Sequence, residues 1–142
     1  SNPDEINIST SYKVTSNITG VAPGTSVDSF KKNIKVNDAT VELVNSDGTV
    51  RTGNVGTGSI LQIKKDNKVV DQYPVVIYGD TNGDGIINIV DLANVQKHLL
   101  NVTKLEGIYA EASNTKKSGN EINIVDLANV QKHLLNVSKI SQ

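Results

Sequence analysis

The stretch DTNGDGIINIVD, residues 80–91, places an oxygen-bearing side chain at nearly every second position. With Asp80 as position 1, Asn82 falls at 3, Asp84 at 5, Gly85 at 6, Ile86 at 7, Asn88 at 9 and Asp91 at 12. That is the spacing of a twelve-residue calcium loop. A hard cation of this size takes about six to eight oxygens at roughly 2.3–2.6 Å, and a loop coiling around it turns alternate side chains inward. Gly85 permits the sharp bend, and Ile86 offers its backbone carbonyl. Asn88 acts directly or through a water, and Asp91 binds with one or both carboxylate oxygens. Ile87 points into the core. Position 12 carries Asp where EF-hand loops carry Glu, so its carboxylate is one methylene shorter. The bland alternative is an Asx/Gly turn that binds nothing; a helical pattern beginning at once behind the loop weighs against it.

The same stretch opens a tandem repeat. INIVDLANVQKHLLNV at 87–102 returns unchanged at 122–137. In each copy an apolar stripe recurs at helical spacing, Leu92, Val95 and Leu99 or Leu127, Val130 and Leu134. Neither short helix can bury its stripe alone, so the repeats are expected to pack as one pseudo-twofold unit. The connecting LEGIYAEA, 105–112, has room for a third short helix. Counting back from Asp126 as position 12, the second loop has Thr115 at 1, Lys117 at 3, Gly119 at 5, Glu121 at 7 and Asn123 at 9. Two side-chain ligands are lost, and lysines stand where the first loop has carboxylates, so calcium is expected once, in 80–91. Two readings of Lys116 and Lys117 stay open: an ammonium takes the place of the metal against Asp126 and Asn123, or both face solvent.

Upstream of Gly79 the texture changes to Thr, Val, Gly and Asn. ATVELV (39–44) and SILQIK (59–64) alternate as half-buried strands, with turn chemistry in NSDG (45–48) and KDNK (65–68). PGTSVDSFKKNI (23–34) predicts one short helix capped by Thr25 or Ser26, with Val27, Phe30 and Ile34 on one face. VVDQYPVVIY (69–78) predicts a last strand whose Pro74 belongs at an edge or bulge. The expected class is α+β, with a small β-rich module holding one short helix at 1–78 and an all-α pair of loop–helix segments at 79–142. No Gly/Ser- or Pro-rich linker separates them, so the halves are expected to be docked.

Composition removes several partners. Across 142 residues, 14 Lys+Arg against 15 Asp+Glu leave a net charge of −1, which provides no electrostatic footprint for nucleic acid or anionic lipid. No apolar run approaches the roughly 20 residues of a transmembrane helix. There is no Cys, so a metal or a neighbouring module must supply the staple that small modules need. With no Met, the Ser1-Asn2 start reads as an excised piece carrying a short scar. His98 and His133, the only histidines, repeat with the helices and read as a partly exposed face more than as catalysts. The remaining acids are scattered over turns and strands, so the chain is read as non-enzymatic.

The tandem of DTNGDGIINIVDLANVQKHLLN-type segments from Gly79 to about Ile140 resembles a dockerin module. The half ahead of it, with ITGVAPGTSVDSFKKNI, looks like the small accessory modules placed before dockerins in secreted bacterial proteins. The resemblance implies a calcium-stabilised interaction module whose paired helices bind a cohesin, in an extracellular or cell-surface setting of cellulosome type. It places the partner-selecting residues at Ile89, Val90, Gln96, Lys97 and Asn101, repeated at Ile124, Val125, Gln131, Lys132 and Asn136. Many dockerins have a hydroxyl pair where this chain has Ile-Val, so a more apolar contact is implied; the alternative is burial of Ile89 and Val90 against the rest of the chain. Two other classes compete: a carbohydrate-binding or adhesive role for the first half, which only Tyr12, Phe30, Tyr73 and Tyr78 could serve by stacking, and a purely structural spacer.

Overall fold

The computed structural model describes residues 6–142, so the Ser1-Asn2 start lies outside the described residues. The chain runs β1 (Ile8–Ser9), β2 (Lys13–Val14), β3 (Ile18–Thr19), α1 (Val27–Asn33), β4 (Lys35–Val36), β5 (Thr40–Val44), β6 (Ile60–Lys65) and β7 (Lys68–Pro74). Three helices follow: α2 (Ile89–Leu99), α3 (Gly107–Ser113) and α4 (Ile124–Leu134). The architecture is α+β, β-rich with one short helix first and helical afterwards.

Strands β5, β6 and β7 form an antiparallel sheet in that order. Leu43 pairs with Leu61 and Leu61 with Tyr73, while Val41 pairs with Ile63, so one face is an apolar row two residues deep. Asp66 and Asn67, both at positive φ, turn β6 into β7 within two residues, the backbone of a type I′ hairpin. Helix α1 begins where expected: Ser26 accepts from Ser29 N–H at 3.1 Å, and Val27, Phe30 and Ile34 are buried. Phe30 stacks on Tyr12 at 5.2 Å within a core of Ile18, Leu43, Val55, Leu61 and Ile77.

The last strand stops at Pro74, on the sheet edge, instead of continuing to Tyr78. Pro has no N–H to extend the ladder, and beyond it Val75, Val76 and Ile77 are all fully buried, which a strand with one solvated face cannot provide. This segment bonds instead to Ser59 and Ile18 through Val75 N–H and Val76 N–H.

In the helical half, Leu92, Val95 and Val130 with Leu99, Leu127 and Leu134 make one cluster, so the two repeated stripes bury each other. Both helices carry a capping box, Asn88 with Asp91 and Asn123 with Asp126. Both end in the same Schellman turn: Asn101 and Asn136 have positive φ, and the next residue donates back to Lys97 O or Lys132 O. The third helix forms between them. The chain end returns to the junction, where Gln142 both accepts from Tyr78 N–H and donates to Tyr78 O.

Candidate functional site

Asp80, Asp84 and Asp91 each present a carboxylate oxygen within 4.8 Å of the others. Asp80 and Asp91 are fully buried, and among the described residues neither has a cationic partner. Their oxygens are instead aimed by neutral donors. Asp80 accepts from Gly83 N–H at 3.2 Å, Gly85 N–H at 3.0 Å and Thr57 N–H at 2.8 Å. Asp91 accepts from Thr81 N–H at 2.9 Å, the Thr81 hydroxyl at 3.0 Å and Asn88 N–H at 2.8 Å. Burial pushes the Asp80 carboxyl up to about 6; the donors Thr57 and Gly85 pull it down, and the charges of Asp91 and Asp84 add to the rise. Asp91 is raised for the same first reason. A buried, unpaired carboxylate pair with a third beside it is strongly unfavourable unless a cation neutralises it.

These residues fit calcium. The three clustered carboxylates, joined by the amide oxygens of Asn82 and Asn88 and the Ile86 carbonyl that the loop spacing assigns as ligands, would give an all-oxygen set suited to a hard divalent ion, which would supply the charge the cluster lacks. Asn88 also caps α2, accepting from Val90 N–H at 3.0 Å, so the loop and the helix start are one construction.

The second loop holds its carboxylate the same way but supplies its own cation. Asp126 accepts from Asn123 N–H at 2.9 Å, Lys116 N–H at 3.1 Å and the Thr115 hydroxyl at 3.2 Å. The Lys116 ammonium lies 2.7 Å from Asp126 Oδ2 and also donates to Asn114 Oδ1 at 3.0 Å and to Glu121 O. Burial alone would raise the Asp126 carboxyl; the Lys116 ammonium, with Asn123 N–H, more than offsets it and holds the group below its ordinary value. Asp91 and Asp126 occupy equivalent positions on identical helices and are equally buried, yet shift in opposite directions. The Lys116 ammonium stands beside Asp126 where the Asp84 carboxylate stands beside Asp91.

This corrects the counting of the second loop. Thr115 bonds Asp126 and Asn129 as Thr81 bonds Asp91 and Asn94, so Thr115 corresponds to position 2 and Asn114 to position 1. From Asn114 to Asp126 the chain is one residue longer than from Asp80 to Asp91, and counting back from the helix slips the register. The inward lysine is therefore Lys116, not Lys117, and it reaches Asn114 rather than the Asn123 side chain, which caps α4. Lys117, at φ 59°, instead lies over the Tyr78 ring at 4.7 Å. Gly119 is exposed at positive φ, and its carbonyl accepts from Asn114 Nδ2 at 3.0 Å.

Ile89, Val90, Gln96, Lys97 and Asn101 are all exposed, as are Ile124, Val125, Gln131, Lys132 and Asn136. Ile89 and Ile124 are each 67% exposed, so burial of the Ile-Val pair against the rest of the chain does not occur. Asn101 and Asn136 have a structural duty as well, since the left-handed turn residue closes each helix. Leu100, Val102, Leu135 and Val137 are also strongly exposed and were missed by the sequence reading. Their signal was present: they belong to the repeated block but fall off its core stripe. His98 and His133 have a use that periodicity does not reveal, for Nδ1 of each accepts the N–H of a residue seven further on, Leu105 at 2.9 Å and Ile140 at 3.0 Å.

Residues 78–135 match the family model of the dockerin type I domain. No curated protein and no solved structure matches the chain. Dockerin type I domains are non-catalytic modules that bind calcium and, in cellulosome-type assemblies, bind cohesins. The matched segment holds both loops and both repeated helices; the β-rich half lies outside it. Among the described residues, no helix is long and apolar enough to cross a membrane.

Proposed function

We propose that this chain is a non-catalytic anchoring module: its helical half, 79–142, binds one calcium ion in Asp80–Asp91 and presents the starts of α2 and α4 to a cohesin, tethering a secreted bacterial enzyme or adhesin to a scaffold or surface protein. The β-rich half, 1–78, is an accessory module docked on it. The observation carrying this reading is the exposed Ile-Val pair, duplicated on identical helices whose first turns are built into the two loops. An apolar pair left in solvent twice, in the same frame, is what a partner face requires. Single occupancy rests on Lys116, which fills the second loop with a tethered cation.

An adhesive role finds less support. Tyr12 and Phe30 stack on each other, Tyr73 bonds Asp71 and Tyr78 lies under Lys117, so these rings are committed internally.

Titration of the chain against a panel of type I cohesins tests the proposal. Burying one Ile-Val pair at an interface centre is worth roughly 2–4 kcal/mol. With two equivalent faces, Ile89→Asp with Val90→Asp should cost little because the cohesin rotates to the other copy, as should Ile124→Asp with Val125→Asp; all four together should abolish binding. One double variant as damaging as all four would leave a single working face. Full affinity in the quadruple variant would remove these residues from the interface.

A further inference from the structure

The β-rich half reaches directly into the metal loop. Thr57 N–H donates to Asp80 Oδ2 at 2.8 Å, Arg51 Nη2 donates to Gly83 O at 2.8 Å, and Gly24 N–H donates to Gly85 O at 2.8 Å. The donors are themselves fixed. Arg51 Nε is held by Asn54 O at 2.9 Å, and the Thr57 hydroxyl both donates to Ile77 O and accepts from Ile77 N–H.

The approach is closer than side chains allow. A Cβ on Gly56 would stand 1.9 Å from Gly83 O, one on Gly83 2.6 Å from Thr57 O, and one on Gly85 2.2 Å from Val55 O. Gly85 thus serves twice, in the loop's bend at φ +83° and in contact with the neighbouring half. The reaching segment lies in the connection between β5 and β6, which continues from the NSDG turn as far as Ser59. A connection this long, without helix or strand, generally has work to do.

From this we infer that residues 51–58 form an outer brace for the calcium loop. They orient the position-1 carboxylate and the Gly83 carbonyl before the ion arrives, while Gly24 N–H holds the Gly85 carbonyl, so the β-rich half sets the calcium affinity of the helical half. Coupling of two binding equilibria is reciprocal, so bound calcium in turn locks the β-rich half onto the loop. The inference rests on the calcium reading of Asp80–Asp91 and adds to it where the affinity comes from. Partners that orient ligands from outside the coordination sphere typically change metal affinity by about 10- to 100-fold when removed.

The test titrates calcium into the full chain and into Arg51→Ala and Gly56→Ala. Gly56 lies outside the set of positive-φ glycines, so alanine is not strained by its own backbone there and acts as a wedge against Gly83 O, crowding Arg51 Nη2 at 2.6 Å as well. Each change should weaken calcium binding by about tenfold and speed its release to a chelator by a similar factor. Amide exchange in β5 and β6 should stay protected, showing that the first core is intact; if Gly56→Ala loosens that core, Arg51→Ala alone decides. Calcium should also slow exchange at Thr57 N–H in the parent and leave it unchanged in Asp84→Ala. Affinity within twofold of the parent in Arg51→Ala, or a Thr57 amide indifferent to calcium, overturns the brace. A parent chain that binds no calcium overturns the metal reading beneath it, and the two failures are distinguishable.

Discussion

Replacing Lys116 by Met tests whether a side-chain ammonium does the work of a metal ion. The perturbation removes what is, among the described residues, the only cation bonded to Asp126, whose side chain is 0% exposed, while the lysine side chain is 17% exposed. Breaking a buried ion pair by deleting one partner costs about 3–5 kcal/mol, because a charge is left stranded. Asp126 retains Asn123 N–H, Lys116 N–H and the Thr115 hydroxyl, which soften the loss, so about 2–3 kcal/mol is expected. For a chain of this size that corresponds to a fall in Tm of roughly 5–10 °C.

The assay is urea unfolding followed by far-ultraviolet circular dichroism in excess calcium, with Lys132→Met as an exposed control on the same helix, expected within about 0.5 kcal/mol of the parent. Adding Asp126→Asn to Lys116→Met removes the stranded charge and should recover part of the loss, the non-additivity a coupled pair requires. Calcium stoichiometry should not rise, since Asn114 and Ser118 stand where the first loop has carboxylates. If Lys116→Met costs no more than Lys132→Met, the ammonium is ornamental and the second loop is held by its backbone alone.

Isothermal titration should give one calcium per chain, abolished by Asp80→Ala with Asp84→Ala; two would mean that the Lys116 ammonium yields its place to the metal. Because the ion binds the folded loop, chelator should lower Tm, with calcium at a thousandfold over Kd contributing about 4 kcal/mol. His98 and His133 predict a pH dependence in calcium-saturated protein. Burial lowers both imidazoles, with Lys104 and Lys139 adding to it, so as pH falls below about 6.5 the unfolded chain takes up protons first. Stability is therefore fully present above that pH and declines as pH falls through the lower folded values, where a protonated Nδ1 can no longer accept from Leu105 or Ile140. Urea midpoints between pH 7.5 and 5 should fall less in His98→Gln with His133→Gln; an equal slope would remove the histidines from the transition.

The helical half was legible because its signals are local. Twelve residues fix the first loop, and a 3.6-residue stripe fixes each helix and the partner it buries against. The β strands were legible from alternation until Pro74, where Val75–Ile77 serve two neighbours at once and periodicity stops meaning anything. Two things were hidden for one reason. That Thr57 meets Asp80 and that Lys116 reaches Asn114 and Glu121 O are contacts set by how loops close in space, and an inserted residue between Thr115 and Asp126 shifts the count without marking itself. Glycines 56, 83 and 85 look like turn punctuation in the sequence; in the fold two backbones pass each other there.

The divergence of the two loops follows from charge balance. Three carboxylates around a divalent ion leave a residual charge of about −1, whereas one carboxylate around an ammonium leaves none. A lysine among three carboxylates would leave two of them unpaired in a buried site, and calcium among one carboxylate and a few neutral oxygens would be short of both charge and ligands. The lysine and the missing acids therefore belong to one alternative solution rather than to gradual decay. The choice also differs in what it demands of the surroundings. A calcium loop is complete only when the free ion is abundant relative to its Kd, while a tethered ammonium is present at every calcium concentration. Each solution ends in the same capping box, Asn88 with Asp91 and Asn123 with Asp126, and so delivers the same first helical turn with the same exposed Ile-Val pair. The two first turns are alike, but on the single-site proposal only the one on α2 would depend on the ion; the one on α4 has the Lys116 ammonium against Asp126.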